Sequence, residues 1–389
     1  MGSPLLIIFM VVFVDLVGFG IVIPILPYYA QQHGASAFDL GWLMTVYSLA
    51  QFLLSPIWGR LSDRFGRRPI LLLSLVGTVV SMALLGFASS LCWLFAGRIF
   101  AGIFTANIST AYAYVADVTS EKDRAKGMGV VGAAFGLGFI FGPVIGGILS
   151  RYGFGMPMFV AAGLAAINLV FAYFRLKEPA SSQATRAANR TKRFDLEMIR
   201  SAFSDRRTAL AIGLFFILTL AVTQMEVVFA IYMKSLFGFD AEQAGYALAS
   251  MGFIMVMMQG GFIGPLSKKF GELNLIRVGF AICTAALLAF AQSATAAGAV
   301  GFLCLLAVGH GMLHPSLSSL ASLGATRASH GGVMGVYHSA SSLARVLGPL
   351  IAGWLYDHVG GSSPFLAGAL LLAFACVISM LSSRSAPRS

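Results

Sequence analysis

Seven ionisable side chains stand inside otherwise apolar stretches of this chain. Asp15 interrupts "FVDLVGFGIVIPILPYY", Phe13 to Tyr29, and Glu226 interrupts "ILTLAVTQMEVVFAIYM", Ile217 to Met233. Arg98 and Arg345 are cations in similar surroundings, and His310, His314 and His338 complete the set. A carboxyl removed from water holds its proton more tightly, and a nearby guanidinium opposes that. An acid that meets and leaves such a cation can therefore take a proton from one side and release it on the other. Asp15 and Glu226 suit that chemistry, with Arg98 as a partner for Asp15. The alternative for Asp15 is a fixed ion pair that only ties helices together. For Arg345 a structural pair stands beside a role in binding substrate. His310 and His314, four apart, share a helix face, and an imidazole titrating at about 6.5 suits proton traffic or a hydrogen bond to a ligand. The same spacing can hold a metal, but a metal site needs a third ligand and a supporting shell, so none is expected.

These residues must be held by membrane-spanning helices. The chain has 389 residues, 58% hydrophobic and 11% charged, with a mean hydropathy of +0.84. A soluble protein of this length needs far more surface charge. At about 20 apolar residues per helix, twelve spans are predicted, at 5–29, 40–61, 70–88, 91–115, 127–150, 155–175, 209–235, 242–265, 274–293, 296–321, 331–355 and 362–382. The first lacks a basic leading segment, so no cleavable signal peptide is expected. A carboxylate at the centre of such a span costs about 2.5–3.5 kcal/mol on insertion scales, which makes Asp15 and Glu226 functional candidates.

The formal net charge is +11. All of the Lys and Arg except Arg98, Arg151, Lys234 and Arg345 fall in alternate loops, at the span ends that border those loops, or in the C-terminal tail. That asymmetry is the positive-inside pattern and predicts both termini in the cytoplasm. It orients the protein in the lipid; it does not point to nucleic acid. Cys92, Cys283, Cys304 and Cys376 have no paired spacing and are expected to be small buried hydrophobes.

The chain repeats itself. "GRLSDRFGRRP" from Gly59 has a worn copy, "GPLSKKFGELN", from Gly264, and "MGVVGAAFGLGFIFGPVIGGIL" from Met128 matches "MGVYHSASSLARVLGPLIAGWL" from Met334. One offset, 205 to 206 residues, relates both pairs. The expected architecture is an all-α integral membrane protein, with twelve helices in two pseudo-symmetric six-helix bundles. Residues 1–175 and 208–389 form the bundles, and 176–207 forms a polar cytoplasmic linker. Six-plus-six repeats are the plan of secondary transporters, whose site lies between the halves near the midplane.

The quoted loop resembles the signature between the second and third spans of the major facilitator superfamily. Arg98 to Gly102 is similar to its fourth-span motif, and "GLGFIFGPVIGG", Gly136 to Gly147, to its antiporter motif. The Asp15 span resembles the first span of the drug:H⁺ antiporters, those for tetracycline in particular. Those exporters carry a further acid in the ninth span, whereas 275–292 has none. The resemblance implies that the first, fourth, seventh and tenth spans line a central cavity, bringing Asp15, Arg98, Glu226, His310 and His314 towards one chamber. It also implies that the 59–68 loop latches the cytoplasmic side.

In that loop, Gly59 and Gly66 permit a tight turn, and Asp63 can face the start of a neighbouring helix, where the dipole favours a negative charge. Arg64, Arg67 and Arg68 can pair with Asp117. In the fifth span Gly138, Gly142 and Gly146 lie on one face beside Gly147, and Pro143 permits a kink. Small residues so spaced let helices approach closely, here against the eighth or eleventh span. Polar or amphipathic points expected on the cavity wall are Tyr47, Gln51, Asn107, Tyr112, Gln224, Tyr232, Gln259 and Tyr337.

The predicted function is secondary transport: a proton-coupled antiporter exporting a lipophilic small molecule, cationic ones included, by alternating access. A metabolite or siderophore exporter and a proton-coupled uptake symporter are the alternatives. The sequence lacks the G-x-x-x-x-G-K-[ST] pattern of an ATP-binding loop, so the proton gradient is the expected energy source, with no cofactor. The expected partners are the substrate, protons and membrane lipid around a monomer. An enzyme is not expected, because no nucleophile–base or metal constellation faces water. The loops also leave no room for the soluble signalling domain of a receptor.

Overall fold

The computed structural model describes residues 4–104, 107–119, 124–179, 203, 205–323 and 330–381. Among the described residues there are helices and no strands. The first six-span repeat contains α1 Pro4–Gln32, α2 Ala37–Phe65, α3 Arg67–Gly86, α4 Leu91–Phe104, α5 Asn107–Val118, α6 Arg124–Leu149 and α7 Gly155–Arg175. The second contains α8 Arg206–Phe237, α9 Ala241–Met257, α10 Ile263–Phe270, α11 Glu272–Ala291, α12 Ala296–Leu323, α13 His330–His358 and α14 Ser363–Leu381. A π-helical turn, Met258–Phe262, joins α9 to α10 in one continuous span.

Ten described helical stretches are long and apolar enough to cross a membrane. The fourth predicted span is described as α4 and α5, on either side of residues 105–106. The eleventh is α13, which is as long as α1 but less apolar because it carries His338, Arg345 and Asp357. Large apolar side chains such as Leu53, Phe87, Ile167, Phe174 and Leu370 point outward. Lipid can accept them, while each helix satisfies its own backbone. Glycine ends the second span: Gly66, at φ 111°, lets the chain turn sharply from α2 into α3, and its repeat equivalent Gly271, at φ 76°, does the same before α11. Asp205 caps α8 by accepting from the Thr208 N–H and hydroxyl, both at 2.8 Å.

The described chain packs as two compact units. Unit 1 comprises Met1–Ala35, Val46–Lys192 and Phe239–Ala249; unit 2 comprises Ser36–Thr45, Arg193–Gly238 and Ser250–Ser389. The start of α2 thus belongs to unit 2, and the start of α9 to unit 1. In unit 1, α1 lies against α6 and α7 over a core that includes Ile8, Val12, Leu16, Leu75, Val115 and Val131. In unit 2, Phe229, Phe290, Phe365 and Tyr232 form an aromatic core between α8, α11 and α14.

Each exchanged helix start is seated by the same device. In unit 1, a Cβ added to Gly245 of α9 would collide with the Pro143 carbonyl oxygen of α6, and one on Gly147 would lie 2.9 Å from Glu242 Cα. In unit 2, a Cβ on Gly41 of α2 would collide with the Pro349 carbonyl oxygen of α13, and one on Gly353 would lie 2.5 Å from the Ala37 carbonyl oxygen. The equivalent residues are 204 to 206 positions apart, so the repeat builds one contact twice. The charges that fasten the two seams differ. Arg151 pairs with both carboxylate oxygens of Glu242, whereas Asp357, its repeat equivalent, accepts from the Ala37 and Phe38 N–H groups at 3.3 and 2.8 Å.

Candidate functional site

The intramembrane charges of unit 1 are held by α1 to α4. Arg98 is only 3% exposed, and its guanidinium carbon lies 4.1 Å from the centroid of the Tyr47 ring. A desolvated cation–π contact of this kind is worth about 2 kcal/mol or more. Gly102, one turn on from Arg98, sets the register: a Cβ there would lie 2.5 Å from the Tyr47 carbonyl oxygen, so α4 can rest on α2 only because the residue is glycine. The Tyr47 ring also meets Phe19 of α1 at 5.9 Å between centroids. One turn before Phe19 stands Asp15, half-buried, whose Oδ1 accepts from the Thr78 hydroxyl of α3 at 3.2 Å. Thr78 escaped the sequence reading because a threonine in an apolar helix is ordinary. Gln51 is half-buried on α2, and Tyr112 on α5 is exposed. Asn107 begins α5, but its side chain lies outside the described residues.

In unit 2, Glu226 stands on α8, His310 and His314 on α12, and His338 and Arg345 on α13. Arg345 acts electrostatically on Glu226 and on all three histidines. The His310 and His314 rings are 6.2 Å apart, and His310 Nδ1 lies 3.0 Å from the Met255 sulfur. His314 packs edge-on against Phe215, which stacks on Tyr337 at 4.1 Å, and Tyr337 meets His338 at 5.4 Å. Among the described residues no group of three His, Cys, Asp or Glu side chains is arranged to hold a metal.

Three of the expected wall residues are packed in the interior of unit 2. Tyr232 is 5% exposed and donates to the Ala291 carbonyl at 3.0 Å, so its hydroxyl is committed to the unit's own structure. Tyr337 and Gln224 are buried as well. Gln259 is exposed, in the π-helical turn.

The loop motif is built around Arg67. Its guanidinium meets Asp63 at 2.6 Å, Asp117 at 2.9 Å and the Ser62 hydroxyl at 3.0 Å. Arg68 donates to the Tyr173 carbonyl instead, and Arg64 lies beside the Phe65 ring. Asp63 was expected at the start of a neighbouring helix, but Glu178 occupies that role: its two oxygens accept from the Arg67 and Arg68 N–H groups of α3 at 2.8 and 2.9 Å. Nothing in the linear pattern marks it, since Glu178 follows α7 in a polar stretch. In the repeat, Lys268 and Glu272 stand where Asp63 and Arg67 stand, so the charges are inverted, and Glu272 accepts from Ser319.

The antiporter-motif glycines meet α1 rather than the eighth or eleventh span. Cβ atoms on Gly138, Gly142 and Gly146 would each lie 2.6 Å from Leu16, Gly20 and Ile21 respectively. Gly147 alone faces the eighth span, at Glu242. The glycines thus seat α6 on the helix that carries Asp15. Of the cysteines, Cys283 and Cys376 are buried, Cys304 is intermediate and Cys92 is exposed, where lipid accepts it as readily as a core would.

Comparison with known proteins shows the family. The model of the Major Facilitator Superfamily matches residues 8–349. The class C tetracycline resistance protein of Escherichia coli is 34% identical over 359 residues, covering 91% of this chain and 90% of that protein. Multidrug resistance protein 2 of Bacillus subtilis (strain 168) is 30% identical, covering 95% and 92%. The crystal structure of the human organic anion transporter TETRAN superposes with a TM-score of 0.74 at 25% identity, covering 97% of this chain and all of that one. This multi-pass membrane protein therefore belongs to the Major Facilitator Superfamily and has that family's transporter fold.

Proposed function

We propose that the chain is a proton-coupled antiporter that exports a lipophilic small molecule across a bacterial inner membrane. The observation that carries this reading is Asp15, half-buried in α1 beside Thr78, with Arg98 buried against Tyr47 in the same unit. An ionisable acid in a spanning helix is costly unless it is used, and a proton on Asp15 changes the charge of a site that a substrate also enters. The tetracycline and multidrug resistance relatives support a drug as cargo. Proton and substrate favour different access states, since a ligand that binds both states equally shifts nothing. The proton gradient supplies the energy without a cofactor, and the unit of transport is a monomer in lipid. The termini and the Asp63–Arg67–Asp117 cluster lie on the cytoplasmic side, by the basic loops, and the glycine seams lie at the opposite helix ends. The cluster latches one side while the seams open, and the seams close while it releases.

A second reading, transport of an organic anion, is favoured by Arg345 amid three histidines and by the likeness to the human organic anion transporter. Expression in a drug-susceptible bacterium lacking its own exporters separates the two. Antiport of a lipophilic drug predicts lower drug accumulation, restored to the control level by a protonophore and by Asp15→Asn. Accumulation indifferent to both, with an organic anion expelled instead, would favour the second reading.

A further inference from the structure

The second and eighth spans are equivalents in the repeat, and they begin and end alike. α2 starts with a reciprocal cap: Ser36 Oγ accepts from the Asp39 N–H at 3.1 Å, and Asp39 Oδ2 from the Ser36 N–H at 2.9 Å. α9 starts the same way, with Asp240 Oδ1 accepting from the Gln243 N–H at 2.8 Å and Gln243 Oε1 from the Asp240 N–H at 3.1 Å. Both spans end in a phenylalanine and a positive-φ glycine, Phe65–Gly66 and Phe270–Gly271. Yet Ala37–Phe65 has 29 residues and Ala241–Phe270 has 30. The offset between the copies is 204 at Gly41 and Gly245 and 205 at Gly59 and Gly264, so the extra residue lies between Gly245 and Gly264.

The π-helical turn Met258–Phe262 falls in that interval. The Ile263 N–H donates to the Met258 carbonyl, five residues back, and a turn closed in this way holds more residues than an α-turn. The eighth span thus keeps its surplus residue in this turn. The cap and the glycine turn fix the two ends, so the surplus can only travel along the helix. Nothing packed against its glycines pins it: Gln259, Gly260 and Gly261 are exposed, and among the described residues a Cβ on either glycine would meet nothing within 4 Å. Just before the turn, within unit 2, the span is seated on α12. Met255 Sδ lies 3.0 Å from His310 Nδ1, and a Cβ on Gly311 would lie 2.7 Å from Met258 Cβ. In the second span Pro56 stands at the level of Gly261 and fixes the weak point in place.

We propose that the surplus residue makes the eighth span a register switch, whose π-helical turn travels past Met255 and back during the transport cycle. When it moves towards the start of α9, the residues it passes rotate by about 100° and advance by about 1.5 Å. Val256 then takes the place of Met255, and Gln259 the place of Met258. The sulfur leaves His310, and the Gln259 amide comes onto Gly311 beside it. One register therefore presents thioethers to α12, and the other presents a hydrogen-bonding amide. A substrate that meets this wall binds the two registers unequally, which is what allows it to bias them. This rests on the transport reading and extends it with a moving part inside unit 2.

The test combines methionine-methyl carbon-13 NMR of the purified full chain with drug accumulation in cells. The Met255 signal is assigned by its loss in Met255→Leu. Deletion of Gly260 gives the eighth span the length of the second and is expected to hold Met255 at His310, so that His310→Ala still moves its signal. Deletion of Gly260 with one alanine inserted after Phe253 places the surplus before Met255, and is expected to give a second signal position that His310→Ala leaves alone. The parent is expected to exchange between these two positions, with populations that change on adding tetracycline or tetraphenylphosphonium. Both length variants are expected to melt like the parent and to lower export at least ten-fold. If the deletion does not fold, Gly260→Ala with Gly261→Ala, which makes regular helix more favourable at the present turn, is expected to move the parent signal towards the second position. A parent signal fixed at one position with and without both compounds would overturn the proposal, as would a folded length variant that exports like the parent. Failure of the antiport reading registers separately, as drug accumulation unaffected by a protonophore while the Met255 signal still takes both positions.

Discussion

Arg151 and Glu242 form a two-pronged ion pair between the end of α6 and the start of α9, with Arg151 Nη2 2.6 Å from Glu242 Oε1. The Tyr246 hydroxyl donates to the same oxygen at 2.8 Å, and Tyr28 of α1 donates to the Phe239 and Asp240 carbonyls just before α9. The ion pair thus fastens the fifth span to the eighth at the ends remote from the Asp63 loop. Arg151 is largely exposed, and exposed ion pairs add little to overall stability. Its consequence is expected in which access state the molecule favours.

Glu242→Gln keeps the side-chain shape and removes the charge. Thiol labelling at a cysteine placed near the start of α9 is expected to rise several-fold, with the melting temperature nearly unchanged. Labelling equal to that of the parent would show that the pair does not hold the seam.

The glycine seams make a sharper prediction. Gly245→Ala and its equivalent Gly41→Ala each push a methyl group into a proline carbonyl. Overpacking of this kind costs about 1–3 kcal/mol. Both variants are expected to favour the state in which these helix ends part and to lower transport similarly, whereas Gly213→Ala, where a Cβ meets nothing, is expected to leave it unchanged. Transport in either seam variant equal to that of Gly213→Ala would contradict the device.

At the other helix ends, Asp63 and Glu178 are expected to differ. Asp63→Asn removes one of two acids on Arg67 and is expected to slow turnover with little change in substrate affinity. Glu178→Gln weakens a charged cap on α3 and is expected to cost about 1 kcal/mol of stability, read as a lower melting temperature with turnover less affected. The reverse assignment, Glu178 slowing turnover and Asp63 only destabilising, would contradict the latch.

Arg98 and Tyr47 test the unit 1 site. Tyr47→Phe keeps the ring and is expected to retain coupled transport; Tyr47→Leu loses a contact of about 2 kcal/mol and is expected to impair it at least ten-fold. Equal transport by the two variants would show that the ring face is not what holds Arg98.

The spans, the repeat and the loop motif were legible because each leaves a linear trace: apolar runs, a constant offset, and charges beside glycines. Contacts between helices leave none. Glu178, Thr78 and the Arg151–Glu242 pair were missed because their partners are 63 to 111 residues away and ordinary in type. The face of Gly138 and Gly142 was visible as a close-packing surface, but its spacing carries no information about which helix fills it. Tyr232 illustrates the converse error, since a tyrosine among apolar residues fits a cavity wall and a core equally well until Phe290 and Phe365 are seen around it.

The most direct test of proton-coupled export uses inside-out membrane vesicles with an imposed acidic interior and a pH-sensitive dye. Lipophilic cations, neutral drugs and tetracyclines are added in turn, to vesicles carrying the parent chain or Asp15→Asn. The prediction is that one of these classes dissipates the gradient with the parent chain and leaves it intact with Asp15→Asn. A compound transported by the parent without any loss of the gradient, or one that dissipates it equally in both, would contradict exchange through Asp15.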